Sequence, residues 1–338
     1  MQIMEHVYQE LLKPSPALLQ DIARIDGDIM LMGVGGKMGP AMARLAKQAV
    51  EEAGIQKKIT GVSRFSEPGL QEELNALGIN TIKADLLNDA ELQALPETQN
   101  LIYLAGQKFG TTGRESYTWA MNTYLPGRVA EKFRHARIVA FSTGNVYPLS
   151  PVLNGGLAED IPAAPVGEYG QSCLGRERMF QYFSSIYNTP VFIYRLNYAN
   201  DVSYGVLLEI AKAVYEQREI DLRMGHVNVI WQGDANEIAI RALLHCEAPA
   251  KTVNVSGPET VAVRWLAQEF GKRMDRTPRF VNSEQPDALL SNSAECFRLF
   301  GYPRVTLKQM IDLVAAWITE GGKTINKPTH FQEREGKF

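Results

Sequence analysis

DIMLMGVGGKMGPAMARL, residues 28–45, is the stretch from which the fold can be read. Ile29 to Met32 make an apolar run that ends without a linker in GVGGKMG, where Gly33, Gly36 and Gly39 form a GxxGxxG turn, and Pro40 opens an amphipathic segment. A strand that passes through glycines straight into a helix has the form of a phosphate-binding turn. The missing side chains let the backbone approach a pyrophosphate, and the helix offers unpaired N–H groups and the positive end of its dipole. Pro40 costs little there, because a first-turn N–H has no helical partner. The anion contacts expected from this turn are Gly33, Gly36, Lys37, Met38 and Gly39.

Outward from this turn, short apolar runs alternate with helical spacing: KITGVS (58–63), INTIKA (79–84), NLIYLAG (100–106), RIVAFS (137–142) and TPVFIYRL (189–196). Six strand-helix repeats predict an α/β protein with a doubly wound parallel sheet. The dinucleotide-binding unit is expected at 28–197. After Asn197 the rhythm becomes helix-rich with brief strands at 228–231 and 251–256, which predicts a smaller C-terminal α/β lobe over 198–320. Residues 1–27 read as a helical extension and 321–338 as a polar tail or packed arm.

The 338 residues are 45% hydrophobic and 22% charged, an ordinary globular composition. With 35 basic against 38 acidic residues the net charge of −3 is too balanced for nucleic-acid or membrane binding by a basic field. Cys173, Cys246 and Cys296 are odd in number and widely spaced, so neither a disulfide framework nor a thiolate metal site is expected, and a reducing cytoplasm fits best. No two of the five histidines stand at i, i+4, so a zinc site of that type is not expected.

The second strand ends GVSRF. Ser63 and Arg64 stand where an NAD enzyme carries an acid for the ribose 2′-hydroxyl, and a hydroxyl beside a bidentate cation favours the 2′-phosphate of NADP over NAD. GVGGKMG, ADLL with Asp85 and Leu86, LAG with Ala105 and Gly106, STGNVY (142–147) and EYGQS (168–172) follow one another in this chain. By these motifs it resembles the extended short-chain dehydrogenase/reductase superfamily, the NAD(P)-dependent epimerase/dehydratase group, over about residues 28–320.

The resemblance implies a Rossmann-like domain in which Asp85 and Leu86 contact adenine, Ala105 and Gly106 border the cofactor, and Tyr169 passes a proton to or from a substrate oxygen with help from Thr143. A phenol needs a stabilised phenolate to act near neutral pH. In the superfamily a lysine four residues after the tyrosine supplies it; here that position is Cys173. Three accounts stay open: a dead site in an NADP(H)-binding sensor, another cation such as Lys108 or Arg176, or reaction at Cys173 itself.

Gly144 and Asn145 occupy the places of the Asp-Glu pair that sugar 4,6-dehydratases use for elimination, which disfavours that route. The segment Arg195-Leu-Asn-Tyr-Ala-Asn-Asp departs from the RxxNVYGP pattern of many nucleotide-sugar enzymes. The loop GQKFGTTGRES (106–116), with three glycines, Lys108 and paired threonines, suits a polar lid. Asp234 reads as a helix cap, and Asn122 as a bridge within its own helix. The expected function is oxidoreduction or epimerisation at a carbinol carbon of a small polyhydroxylated substrate, a sugar or sugar acid. The resemblance also implies a homodimer paired through 115–133 and 169–187, which carry Tyr117, Trp119, Met121, Phe180, Tyr182 and Phe183.

Overall fold

The computed structural model describes residues 2–337, apart from 109, 111, 112 and 328. The six expected strands form: β1 (Ile29–Met32), β2 (Ile59–Ser63), β3 (Asn80–Lys83), β4 (Asn100–Tyr103), β5 (Arg137–Thr143) and β6 (Val191–Leu196). A seventh, β7 (Lys251–Val255), joins them in one parallel sheet of order β7-β6-β5-β4-β1-β2-β3. All four residues of β1 are buried, as parallel strands covered on both faces require. The order reverses between β1 and β4, and the crevice beyond their carboxyl ends is where such sheets bind ligands.

One face of the sheet is covered by α2 (Pro16–Arg24), α3 (Gly39–Glu52), α4 (Leu70–Ala76), α10 (Gln232–Arg241) and α12 (Ala294–Phe300), the other by α5 (Asp89–Ala94), α7 (Leu125–Lys132) and α8 (Gly167–Tyr187). The second lobe has its own core beneath α9 (Val206–Tyr215), α11 (Val263–Met274) and α13 (Leu307–Thr319). Ser15 caps α2 by accepting from Leu18 N, with Pro16 in the first turn, and Leu18 and Ile22 enter the sheet's core. α2 therefore packs with the sheet, whereas α1 (Gln2–Leu11) packs on α13 of the second lobe, where Tyr8 meets Trp231 and Trp317.

The boundary expected at 197 is corrected by β7 and α10. Both lie beyond it in sequence, yet β7 pairs with β6 from Lys251–Phe192 to Val255–Leu196, and α10 packs on α2 and α3. Val253 and Val255 belong to the sheet's core, which is why this late strand returns. Asp234 does not cap its own helix. It lies within the first turn of α10 and accepts from Val305 N at 2.9 Å, holding the loop ahead of α13.

The final segment is a packed arm. Ile325 N donates to Ser203 O, Thr329 N to Glu209 Oε2, and Arg334 pairs with Asp287. Phe331 is buried in the second lobe's core. A Cβ at Gly167 would lie 2.5 Å from Gly336 O, so the arm reaches the start of α8. Among the aromatics of α7 and α8 and the turn between β4 and α7, Phe180 is buried, whereas Tyr124 and Tyr182 are 60% and 57% exposed and Ile186 faces outward with them. Among the described residues no helix is long and apolar enough to cross a membrane.

Phe331→Ala should destabilise the protein by about 3 kcal/mol, the scale for emptying a buried phenylalanine site. A loss under about 0.5 kcal/mol in urea unfolding, the scale of a surface substitution, would mean that the arm is a loose tail after all.

Candidate active site

The glycine turn lies at the carboxyl edge of the sheet. Gly33 has φ +92, and a Cβ there would sit 2.6 Å from Ala105 N; one at Gly39 would sit 2.2 Å from Val34 O. Neither position tolerates a side chain. At Gly36 only Gly33 O comes near, at 3.4 Å, so this part of the backbone faces open space that a Cβ would fill. Gly33, Gly36, Lys37, Met38 and Gly39 line a cleft of about 440 Å³, a volume suited to a small-molecule site. The turn therefore fits the pyrophosphate of a dinucleotide set against the N-terminus of α3.

Other expected contacts surround this turn. Ser63 lies beneath it, its Oγ 2.5 Å from where a Gly35 Cβ would be, and Arg64 is exposed just past the end of β2. Asp85 accepts from Leu87 N at 3.1 Å and so shapes its own turn, with Leu86 buried behind it. Ala105 is buried against Gly33, and Gly106 opens on the cleft. Thr111 and Thr112 of the expected lid lie outside the described residues.

The opposite wall carries the hydroxyl pair. Thr143 ends β5 and Tyr169 stands in the first turn of α8, and the phenol is hydrogen-bonded with both the Thr143 hydroxyl and the Cys173 thiol. Burial pushes the Tyr169 phenol well above its ordinary range. Cys173 adds to that rise, while the Arg176 charge and the Thr143 hydroxyl oppose it. The Lys108 ammonium lies 5.7 Å from the centre of the Tyr169 ring, and burial lowers its pKa to about 8.

Tyr169, Cys173, Arg176 and Glu177 fall on one face of α8 by their i, i+4, i+7, i+8 spacing. Cys173 is fully buried and does not line the cleft, and burial raises its thiol pKa. The nucleophile of a reactive cysteine is the thiolate, which this burial disfavours. Arg176 does line the cleft. Its guanidinium donates to Phe141 O at 2.9 Å and to Asn122 Oδ1 at 2.7 Å, and a Cβ at Gly106 would collide with it at 2.4 Å.

Asn122 is not a bridge within its helix. It sits in a single π-helical turn, Ala120–Tyr124, between α6 (Glu115–Trp119) and α7. Its amide accepts from Gln107 N and donates to Gln107 O, both at 2.8 Å, and donates to Ser172 Oγ at 3.0 Å. Lys37, Tyr204 and Thr329 also meet at the cleft, with the Lys37 ammonium 3.6 Å from the centre of the Tyr204 ring. No sequence signal marks Tyr204 or Thr329, which the second lobe and the arm bring in. Among the described residues no cluster of three or more metal-ligating side chains could hold a metal.

A family model described as NAD dependent epimerase/dehydratase matches residues 29–214. No curated protein matches the chain. Among the solved structures that share its fold are three sugar-nucleotide enzymes with NAD. The UDP-glucuronic acid 4-epimerase of Bacillus cereus, with UDP-glucuronic acid and NAD, is 17% identical over 87% of this chain and 99% of that one, with a TM-score of 0.70. The dTDP-glucose 4,6-dehydratase of Bacillus anthracis with NAD is 16% identical over 87% and 97%, with a TM-score of 0.72. The UDP-glucose 4-epimerase of Thermus thermophilus with NAD is 15% identical over 87% and 99%, with a TM-score of 0.70.

Proposed function

Because the chain belongs to the NAD dependent epimerase/dehydratase family, we propose that it is an NAD(P)-dependent epimerase or oxidoreductase acting at a carbinol or carbonyl carbon of a small polyhydroxylated substrate, a sugar or sugar acid. The observation that carries this reading is the Tyr169–Thr143 hydroxyl pair across the cleft from the glycine turn, with a cation beside the phenol. A bound nicotinamide dinucleotide supplies the hydride acceptor or donor. Thr143 holds the substrate oxygen in line, and Tyr169 takes or returns its proton. Lys108 does the electrostatic work of the absent helix lysine by favouring the phenolate. Gly144 and Asn145 offer no acid-base pair for elimination, which supports redox or epimerisation chemistry over dehydration.

The glycine turn, Ser63, Arg64, Asp85 and Leu86 are the cofactor residues of this reading. The solved relatives hold NAD, but the second strand here ends in Ser63 and Arg64 with no acid, which supports NADP for this chain. The outward Tyr124, Tyr182 and Ile186 support a homodimer through the α7–α8 face. Free thiols at all three cysteines are consistent with a reducing cytoplasm.

Tyr169→Phe should lower kcat by about 10² or more, the scale of a lost general acid or base, and Lys108→Met should do the same. Lys108, with its pKa lowered to about 8, is charged below that pH and loses its proton above it. The rate should therefore fall as pH rises through about 8, and Lys108→Arg should move that limb upward. Full activity in Lys108→Met would remove Lys108 from the mechanism. Turnover that appears only in Cys173→Lys, with none in the wild type across a broad sugar panel, would make the protein a cofactor sensor.

Titration of both dinucleotides should give NADP at least tenfold tighter binding, about 1.4 kcal/mol, with the preference lost in Arg64→Ala. Equal wild-type affinities would end that assignment. In light scattering at micromolar concentration the chain should have twice its 37.6 kDa mass and Tyr182→Glu should be monomeric; a monomeric wild type would reject the dimer.

A further inference from the structure

Arg176 holds a place in the cleft that the hydroxyl pair does not account for. It is 6% exposed, it lines the cleft, and among the described residues it makes no ion pair. The carboxylate next to it in sequence, Glu177, is taken by Arg195 and the Ser142 hydroxyl. Two neutral oxygens, Phe141 O and Asn122 Oδ1, accept from its Nη1 and Nη2, and its Nε–H has no acceptor among the described residues. A guanidinium has N–H groups to spare beyond two bonds, and burying them unused is costly. Its position is sharply defined. The Tyr103 ring lies on one side, its centre 5.9 Å from Cζ, and Gly106 on another, where a Cβ would stand 2.4 Å from Nη2. The guanidinium therefore fills the space that a side chain at the end of β4 would have taken.

The order of the strands decides what crosses this point. β4 lies between β1 and β5; the glycine turn follows β1, and Thr143 ends β5 beside Tyr169. A dinucleotide with its pyrophosphate on that turn and its nicotinamide at the hydroxyl pair passes the ribose between them over the end of β4, where Gly106 and Arg176 meet. We propose that Arg176 binds the 2′- and 3′-hydroxyls of this nicotinamide-side ribose and so holds the reactive half of the dinucleotide in the cleft. This rests on the reading of the cleft as a nicotinamide-dinucleotide site. The hydroxyl oxygens accept from guanidinium N–H groups that Phe141 O and Asn122 Oδ1 leave over, and the charge on the donor strengthens each bond. Those two protein bonds also fix the planar fork before the ligand arrives, which spares the cost of ordering a long side chain on binding. Binding of the ribose and charge at the phenol are then separate tasks, carried by Arg176 and Lys108.

Calorimetric titration of the full chain tests this. The probes are NADP and NAD, the analogue of each that lacks both hydroxyls on the nicotinamide-side ribose, and ADP, which ends before that ribose. The tighter of the two dinucleotides should bind about tenfold more weakly once those hydroxyls are removed, the scale of one charge-assisted hydrogen bond. Arg176→Gln should lose about as much with the intact dinucleotide and little more with the analogue, because a contact that is already gone is not lost twice. Arg176→Lys should keep more affinity than Arg176→Gln, and ADP should bind to all three proteins alike. Additive losses, an Arg176→Gln protein that binds the intact dinucleotide as the wild type does, or an equal loss for ADP would overturn the assignment. The wild-type comparison needs no variant: equal affinity for the intact and the dehydroxylated dinucleotide overturns it even if Arg176→Gln does not fold. Failure of the underlying reading looks different, since the wild type would then bind neither NADP nor NAD, and the assignment would fall with it.

Discussion

Glu177 and Arg195 form a buried ion pair, with side chains 0% and 6% exposed and 2.7 Å between Oε2 and the guanidinium. The contact is bidentate, because Arg195 Nε also donates to Oε1 at 2.9 Å. The Ser142 hydroxyl donates to the same Oε1, and Arg195 donates to the Tyr147 oxygen, whose hydroxyl meets Asn254 Oδ1. One pair thereby ties α8 to β5, β6 and β7. Breaking such a pair costs about 3–5 kcal/mol, although replacing both partners by apolar groups is often neutral, so its worth lies in position rather than net stability. It fixes the rotation of α8, and everything that α8 points at the cleft follows from that.

Tyr169 and Arg176 share that face, and their environments pull the phenol in opposite directions. Burial raises its pKa, whereas the guanidinium, which donates to the neutral Phe141 O and Asn122 Oδ1, sets a positive charge nearby that opposes the rise. That one cation offsets part of the burial cost, and the phenol still stays high. The Lys108 ammonium, 5.7 Å from the ring centre, is a second cation near the phenol.

The fold was legible where a local pattern forces the outcome. DIMLMGVGGKMG dictates strand, turn and helix because only glycine fits between β1, Val34 O and Ala105 N, and the remaining parallel strands announce themselves as apolar runs. KTVNVS was visible as a strand but not as a member of the main sheet, since its partner β6 lies some 55 residues earlier and chain order does not choose pairing. The arm reads as polar because Phe331 stands alone among polar residues with no periodicity around it, although it fills the second lobe's core. At the site, Thr143, Tyr169 and the missing lysine were readable from motifs. Lys37 on Tyr204 was not, because that contact joins two lobes 167 residues apart in sequence.

A loop holds a side chain less firmly than a helix does, and the network around Asn122 supplies restraint to the loop that carries Lys108. Gln107, the residue before Lys108, has its N–H and its C=O both held by the Asn122 amide, and Asn122 Oδ1 is shared with Arg176. The π-helical turn is what lets Asn122 face the loop and Ser172 of α8 at once. Ser172 in turn donates to Tyr169 O. The main chain leading to Lys108 and the main chain carrying Tyr169 are therefore fastened to one asparagine, and that asparagine is fastened to Arg176. A helix lysine would have been placed by four residues of regular backbone. Here a hydrogen-bonded network through Asn122 sets the main chain ahead of Lys108 relative to the main chain that carries the phenol.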